Sequence, residues 1–322
     1  MPDRAGMTIF SAPRPEPLRT IRTAEDLFAL AGYGAGLEPS ARALERVRML
    51  VREAPFIETA LAARTVLMPG ARGGRRLGFR VIARITGAHE FRRVDFQREV
   101  ERGIGDRTDH LWRLEGDGAE LEFWATLIDG EFFLALRLSG ERMRIREYKV
   151  AHRPGSLRPS VAAALAWLTH PRDDDIVLDP MCGAGTIPIE RAHIGRYAMM
   201  LGFDQDREQL DAAIANVGPR YKPIGLGLAD AARMPLGNAS ISAIATNLPW
   251  GTRHGSHAGN RALYPRIIAE FKRVVRPGGT IVMLTAEAAL MHELTRRGLV
   301  KPARIIRVSI LGAPATIYVC PA

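Results

Sequence analysis

LDPMCGAGT, Leu178 to Thr186, stands where an apolar run, DIVLDP, gives way to a helical pattern, IPIERAHIG. A strand joined to a helix through so short a link needs residues without a Cβ in the turn. Gly183 and Gly185 supply them, giving access to unusual backbone angles and to close approach of a ligand to the main chain. A dinucleotide or phosphate loop is the obvious rival. It lacks its marks here: there is no G-x-G-x-x-G and no Gly-Lys-Ser/Thr, and a carboxylate at the strand end, Asp179, repels phosphate. An acidic strand end suits a cationic or zwitterionic ligand instead.

Outward from this loop the second half alternates short apolar runs with helical patterns, the signature of a doubly wound sheet. AMMLGFD, GLGLAD and ISAIATNLPW read as the second, third and fourth strands and GGTIVMLTA as the fifth, with REQLDAAIANV and ALYPRIIAEFKRVV as helices. Two β-rich runs, RIIRVSIL and ATIYVC, close the chain. The link Gly312-Ala313-Pro314 is of hairpin length, so the last strand is expected to run antiparallel. In the first half, ARALERVRMLVREA and AEDLFALAG read as helices, and GFRVIARI, ELEFWATLI and EFFLALRLS as strands, an α+β region. YKVAHRPGSLRPS, with two prolines and a glycine, reads as the linker.

In open α/β sheets ligands lie beyond the carboxyl ends of the strands. Asp179, Asp204 in GFDQD and Asp230 in LAD are each expected at such an end, and so to converge on one crevice. Asp204 suits a ribose diol and Asp230 the amino group of adenine. A lone strand-end Asp is more often a helix cap, but three in succession after this loop point to a nucleoside bearing a sulfonium. At the fourth strand end stand Asn247, Leu248, Pro249 and Trp250. Pro249 stiffens the turn, so that the Asn247 side-chain oxygen and the Leu248 carbonyl become two acceptors for the two hydrogens of an exocyclic amine. Drawing on both hydrogens favours the pyramidal nitrogen that attacks a methyl group, and Trp250 stacks on the ring and positions it. Alone, Trp250 would be a packed aromatic beside a proline turn. Attack on cytosine C5 needs a cysteine near the acceptor, whereas Cys182 lies in the loop. Ribose 2′-O transfer commonly uses a lysine, and Lys149, Lys222, Lys272 and Lys301 lie outside the expected crevice.

Composition bounds the rest. The 322 residues carry 45 Lys+Arg against 35 Asp+Glu, a net charge of +10, and are 47% apolar, ordinary for a folded chain with two or three domains. No apolar run approaches the ~18–20 residues of a membrane span, and no signal peptide opens the chain, which favours a cytoplasmic location. Two cysteines give neither a disulfide framework nor metal-ligand spacing, and no metal is expected. Basic clusters mark the first half: Arg72, Arg75 and Arg76; Arg92 and Arg93; then Arg142, Arg144, Arg146, Lys149 and Arg153. Each alone is commonly a solvated face. Together they point to phosphate contacts on a nucleic acid.

LDPMCGAGT followed by NLPW resembles the class I S-adenosylmethionine-dependent methyltransferases that act on exocyclic amines of bases. FRVIARITGAHEFRRVDFQREVERGI, LEFWATLIDGEFFLALRLSG and REYKVAHRPGSLRPSVAAALAWL resemble a THUMP domain running into a methyltransferase domain. The combination, covering the chain from near Arg64 onward, is similar to the THUMP-domain tRNA guanine-N2 methyltransferases, and WGTRHGSHAGNRALYP to those acting at acceptor-stem position 6. That resemblance implies a segment of a ferredoxin-like domain at 1–63, a THUMP RNA-binding domain at 64–151 and a Rossmann-like methyltransferase domain at 152–322. The opening strand and helix of a full ferredoxin-like domain are not found, so the start lies upstream or the region is pared down. The resemblance further implies that Asn247, Leu248, Pro249 and Trp250 form the catalytic motif and that Asp179, Pro180, Met181, Cys182, Gly183, Gly185 and Thr186 hold S-adenosylmethionine, with Asn247 bordering it. It assigns Asp204 to the ribose, Asp230 to the adenine and Ser156, Leu157 and Arg158 to the methionine end, with Gln205 and Ala231 also in contact with the cofactor. The product implied is N2-methylguanosine in tRNA, made by a monomer or dimer off the membrane. A methyltransferase for an amine of another RNA or DNA base, a protein glutamine methyltransferase and an RNA-binding protein with an idle methyltransferase fold are the rivals.

Overall fold

The computed structural model describes residues 6–70, 74, 76–140, 143–221, 223–251 and 256–322. The chain divides into two compact units, Met1–Met143 and Arg144–Ala322.

The first unit contains β1 (Phe28–Gly34), α1 (Arg42–Arg52), α2 (Ile57–Leu67), β2 (Gly78–Ile85), α3 (Arg93–Arg107), β3 (Arg113–Leu114), β4 (Leu121–Ile128) and β5 (Glu131–Arg137). They form a sheet of order β1-β5-β4-β2-β3. Period-two alternation places Leu121, Phe123, Ala125 and Leu127 of β4 in a core with Val47 and Val51 of α1 and Phe96, Val100 and Ile104 of α3. β4 and β5 join through Asp129-Gly130, both at positive φ (50° and 75°), the Asp-Gly turn that suits strand twist. One reading from sequence is corrected here: AEDLFALAG is not a helix, because Phe28 to Gly34 are the edge strand β1, paired antiparallel with β5. Ala and Leu favour helix only weakly, and this pairing, with the Phe28 ring 5.2 Å from that of Trp124, overrides them. The boundary placed at 63/64 falls inside α2, and residues on both sides of it share this sheet and core.

The second unit runs α4 (Pro159–Trp167), β6 (Ile176–Asp179), α5 (Thr186–Ala192), β7 (Met199–Asp204), α6 (Arg207–Val217), β8 (Ile224–Leu228), β9 (Ile241–Asn247), α7 (His257–Val274), β10 (Val275–Thr285), α8 (Ala288–Arg296), β11 (Arg304–Ile310) and β12 (Ala313–Pro321). Its sheet has the order β11-β12-β10-β9-β6-β7-β8. The five strands from β10 to β8 are parallel, and β12 is antiparallel to both neighbours. Successive residues face opposite cores: Ile281 and Met283 of β10 join Tyr264, Ile267 and Phe271 of α7, while Val282 and Leu284 join Ala162 and Leu165 of α4. Both faces of the sheet are thus covered, which is why its central strands read as unbroken apolar runs. This is the α/β class I methyltransferase arrangement with an antiparallel last strand. The closing hairpin is tighter than its sequence suggested. Ile310 pairs with Ala313, leaving Leu311 and Gly312, at φ 54° and 83°, as a two-residue turn.

The stretch read as a linker is packed onto the second unit. The Asn216 side chain, 3% exposed, accepts from the Ala151 N–H at 2.8 Å and donates to the carbonyls of Ala151 and Ala184 at 3.0 and 2.9 Å. One side chain thereby ties the segment before α4 to the glycine loop.

Candidate active site

β6, β7, β8 and β9 are adjacent and parallel, so their carboxyl ends open on the same edge of the sheet. Leu178 pairs with Ile244, so Asp179 lies level with Ala245 and Asn247 stands two residues, roughly 7 Å of strand, further out. Beside Asp179 the chain turns through the glycine loop. Gly183 and Gly185 have φ of 50° and 77°, and Gly185 caps α5. A Cβ on Gly185 would stand 3.2 Å from Ala213 Cβ, so this glycine serves both the turn and the close packing of α6.

The acids divide into distinct roles. Asp179 is 1% exposed and accepts the Met181 N–H at 3.3 Å. Burial pushes its carboxyl from the usual 3.8 up to about 7, opposed in part by the Thr246 hydroxyl and the Met181 amide, with Asp204 adding to the rise. Thr246 lies beside this carboxyl although its own Oγ1 lacks a hydrogen bond of good geometry. Asp204, at the end of β7, accepts Gly183 N–H and Asp206 N–H, both at 2.9 Å. Its carboxylate therefore shapes the loop and retains lone pairs for a further donor. Asp230 lies two residues past β8, where Oδ1 accepts the Ala232 N–H at 2.9 Å, with Ala231 buried behind it. It is exposed, and Arg266 approaches to 3.8 Å. Pro180 and Cys182 are buried, Met181 half-buried and Gln205 exposed. Burial, helped by Asp179 and Asp204, raises the Cys182 thiol well above its ordinary value, which disfavours the thiolate that a nucleophile needs. Ser156 reaches the loop through Thr186, hydroxyl to hydroxyl at 3.4 Å. Leu157 packs with Leu165 and Ile187, and Arg158 caps α4.

At the end of β9 the motif is engaged with itself. Trp250 Nε1 donates to Asn247 Oδ1 at 3.0 Å, and its ring packs against the α4 side of the sheet. The expected free acceptor thus holds one bond already, with a second lone pair for a substrate amine. Leu248 is fully buried, its N–H on Leu284 O at 2.9 Å. The Pro249 carbonyl accepts from Asn260 Nδ2 at 2.9 Å and from the Tyr264 hydroxyl at 2.7 Å. Sequence reasoning missed these two residues. The available signal was their four-residue spacing on a helix beside the motif.

Three cations expected to meet RNA are committed elsewhere. Arg146 is 8% exposed and pairs at 3.3 Å with the fully buried Glu190, which also accepts the Tyr148 hydroxyl at 2.8 Å. Lys149 donates to Leu157 O at 3.1 Å, and burial lowers its pKa. Arg153 pairs with Glu208 at 2.5 Å. Such contacts fix the segment before α4; Arg146 is corrected from a phosphate contact to a structural ion pair. Arg76 and Arg144 are exposed, Arg93 donates to Gln97 at 3.3 Å, and the exposed Arg92 caps α3 through Asp95. Arg72, Arg75 and Arg142 lie outside the described residues.

The family described as "RMKL-like, methyltransferase domain" matches residues 146–312, more than half the chain. The chain belongs to this methyltransferase family. A Thermus thermophilus relative named tRNA (guanine(6)-N2)-methyltransferase is 31% identical over 278 residues, 82% of this chain and 78% of its own. A mouse relative, tRNA (guanine(6)-N(2))-methyltransferase THUMP3, is 30% identical over 224 residues, 64% of this chain. This chain spans only 44% of that protein's length. Among solved structures, TrmN from Thermus thermophilus superposes with a TM-score of 0.75 at 24% identity, covering 97% of this chain and 88% of its own, a likeness of fold. The matched region contains the glycine loop, the three acids and the Asn-Leu-Pro-Trp turn.

Proposed function

We propose that this methyltransferase moves the methyl group of S-adenosylmethionine to the exocyclic N2 of a guanine in tRNA, giving N2-methylguanosine in the acceptor stem, at position 6. The observation that carries this reading is the Asn247-Leu248-Pro249-Trp250 turn at the end of β9, next to the glycine loop that ends β6, where Asn247 Oδ1 keeps accepting capacity beyond its bond from Trp250. The names of the Thermus and mouse relatives favour guanine and tRNA over other amines.

The residues fit the cofactor. Two positive-φ glycines bring the backbone close to a ligand, Asp204 has accepting capacity beyond the loop amides it holds, and the buried Asp179 gains from a cationic ligand that favours its charged form. When bound, the cofactor supplies an electrophilic methyl on sulfur. The chain's part is positioning. A guanine paired in a stem must leave the helix to reach the site, at a cost of a few kcal/mol, which stacking on Trp250 offsets in part. Asn247 and Leu248 accept from the two N2 hydrogens and hold the nitrogen lone pair on line. No strong base is required, because the amine proton becomes acidic once the nitrogen has been methylated. RNA contact falls to Arg76, Arg92, Arg93 and Arg144, with the first unit taken as a THUMP-type module, in a cytoplasmic monomer or dimer. Among the described residues no helix is long and apolar enough to cross a membrane.

The test is methylation of a tRNA pool by the purified protein, followed by mass spectrometry of nucleosides. N2-methylguanosine is the expected nucleoside, and mapping of nuclease fragments is expected to place it in an acceptor stem. N6-methyladenosine, or transfer to ribosomal RNA or DNA in place of tRNA, would overturn the substrate assignment.

A further inference from the structure

The Leu248-Pro249 turn offers few handles by which it can be held. Pro249 has no N–H, and the Leu248 N–H is paired with β10 through Leu284 O at 2.9 Å. What remains is the Pro249 carbonyl, and it takes two donors from one face of α7: Asn260 Nδ2 at 2.9 Å and the Tyr264 hydroxyl at 2.7 Å. Both side chains are buried, at 1% and 0% exposure. Each is oriented in turn. Asn260 Nδ2 also donates to Glu287 Oε1 at 2.8 Å, an oxygen that lies 2.7 Å from His257 Nδ1. The Tyr264 hydroxyl lies 2.7 Å from Thr285 Oγ1, which accepts the Glu287 N–H at 2.9 Å. Proton counting fixes the direction of the second chain: Glu287 N–H to Thr285, Thr285 hydroxyl to Tyr264, Tyr264 hydroxyl to the Pro249 carbonyl. Bonds in such a series polarise one another. Gly251, at φ 75°, passes so close that a Cβ there would lie 2.8 Å from both Glu287 Oε1 and His257 N.

We propose that Asn260 and Tyr264 are positioning residues for methyl transfer, backed by Glu287 and Thr285: by holding the Pro249 carbonyl they fix the Pro249–Trp250 peptide, and through it the ring-locked Leu248–Pro249 bond that carries one acceptor and the Trp250 indole that orients the other, Asn247 Oδ1. The proposal rests on the assignment of those two acceptors to an exocyclic amine. Neither residue touches cofactor or base. A small displacement of the turn lowers the rate of transfer and leaves ligand binding in place, because the reacting geometry is more exacting than affinity.

The experiment compares wild type, Tyr264→Phe, Asn260→Ala and the double variant in single-turnover methylation of tRNA. S-adenosylmethionine affinity is measured by calorimetry, the melting temperature is recorded, and hydrogen exchange is followed over residues 247–251 and 183–186. Each single variant is expected to slow transfer about tenfold and the double variant about a hundredfold, with cofactor affinity within about twofold. Exchange should quicken at 247–251 and stay unchanged at 183–186. Wild-type transfer rates in well-folded variants would overturn the proposal, as would a rate loss matched by equal loss of cofactor affinity. The wild-type nucleoside product tests the substrate assignment separately. If that product is another methylated base, the ratio of variant to wild-type rate on the same RNA still decides the role of Asn260 and Tyr264.

Discussion

Asp179 is the residue where a physical cost and a ligand's chemistry meet. Its carboxyl, raised to about 7 by burial, prefers to be neutral in the folded protein. The sign follows directly: a folded-state pKa above the unfolded value gives stability that is complete below about pH 4 and is lost as pH rises through about 7. Asp179→Asn should therefore raise the melting temperature of the ligand-free protein more at pH 8 than at pH 4, as scanning calorimetry at the two values checks. A cationic ligand favours the charged form, so S-adenosylmethionine should bind more tightly as pH rises from 6 to 8 in wild type, and this dependence should flatten in Asp179→Asn. Its position at a strand end was legible from its place between an apolar run and a glycine turn. Its protonation was not, because burial depends on α5 and on β9 packing from both sides. The same holds for Asn247: the role proposed for it comes from Asn-Leu-Pro-Trp, whereas its bond to Trp250 depends on a rotamer that no spacing encodes.

Among the elements, the segment before α4 differs most from its reading as a linker. Arg146 and Lys149 looked like phosphate contacts because a string of basic residues carries no sign of which are covered. In the structure Glu190, fully buried on α5, requires a cation, and Arg146 provides it. Removing one partner of a buried pair leaves the other uncompensated, so Arg146→Ala should cost about 3 kcal/mol in chemical denaturation. The salt dependence of its RNA binding should remain that of wild type, whereas Arg92→Ala should reduce the slope by about one. Equal slopes for Arg92→Ala and wild type would remove Arg92 from the interface. Gly185→Ala places a Cβ at φ 77° against Ala213 and should destabilise by about 1–2 kcal/mol. The regular elements of the second unit were legible because buried parallel strands read as apolar runs and amphipathic helices carry their own period. β1 was not, since an edge strand whose Phe and Tyr are mixed with Ala, Leu and Gly has no decisive local preference and is fixed by a partner more than 90 residues away.

For the whole molecule, the division at Met143 assigns the proposed labour: every residue given to cofactor and amine lies in the second unit, and Arg76, Arg92 and Arg93 lie in the first. A fragment of residues 144–322 retains the complete seven-stranded sheet and should bind S-adenosylmethionine within a few-fold of the full chain while losing most tRNA affinity. Fragment and full chain binding tRNA equally would contradict that division. The two-unit organisation was legible in outline, from an α+β pattern followed by an α/β one, but its boundary was not, because the basic segment from Arg144 to Arg153 is joined to the second unit by side chains distant in sequence. The central claim is that Asn247 positions an amine for methyl transfer and does little to hold the cofactor. Its most direct test is single-turnover methylation of tRNA by Asn247→Ala alongside calorimetric titration with S-adenosylmethionine. A rate lowered roughly a hundredfold or more, with cofactor affinity nearly unchanged, is the predicted result; near-normal turnover in the variant would contradict it.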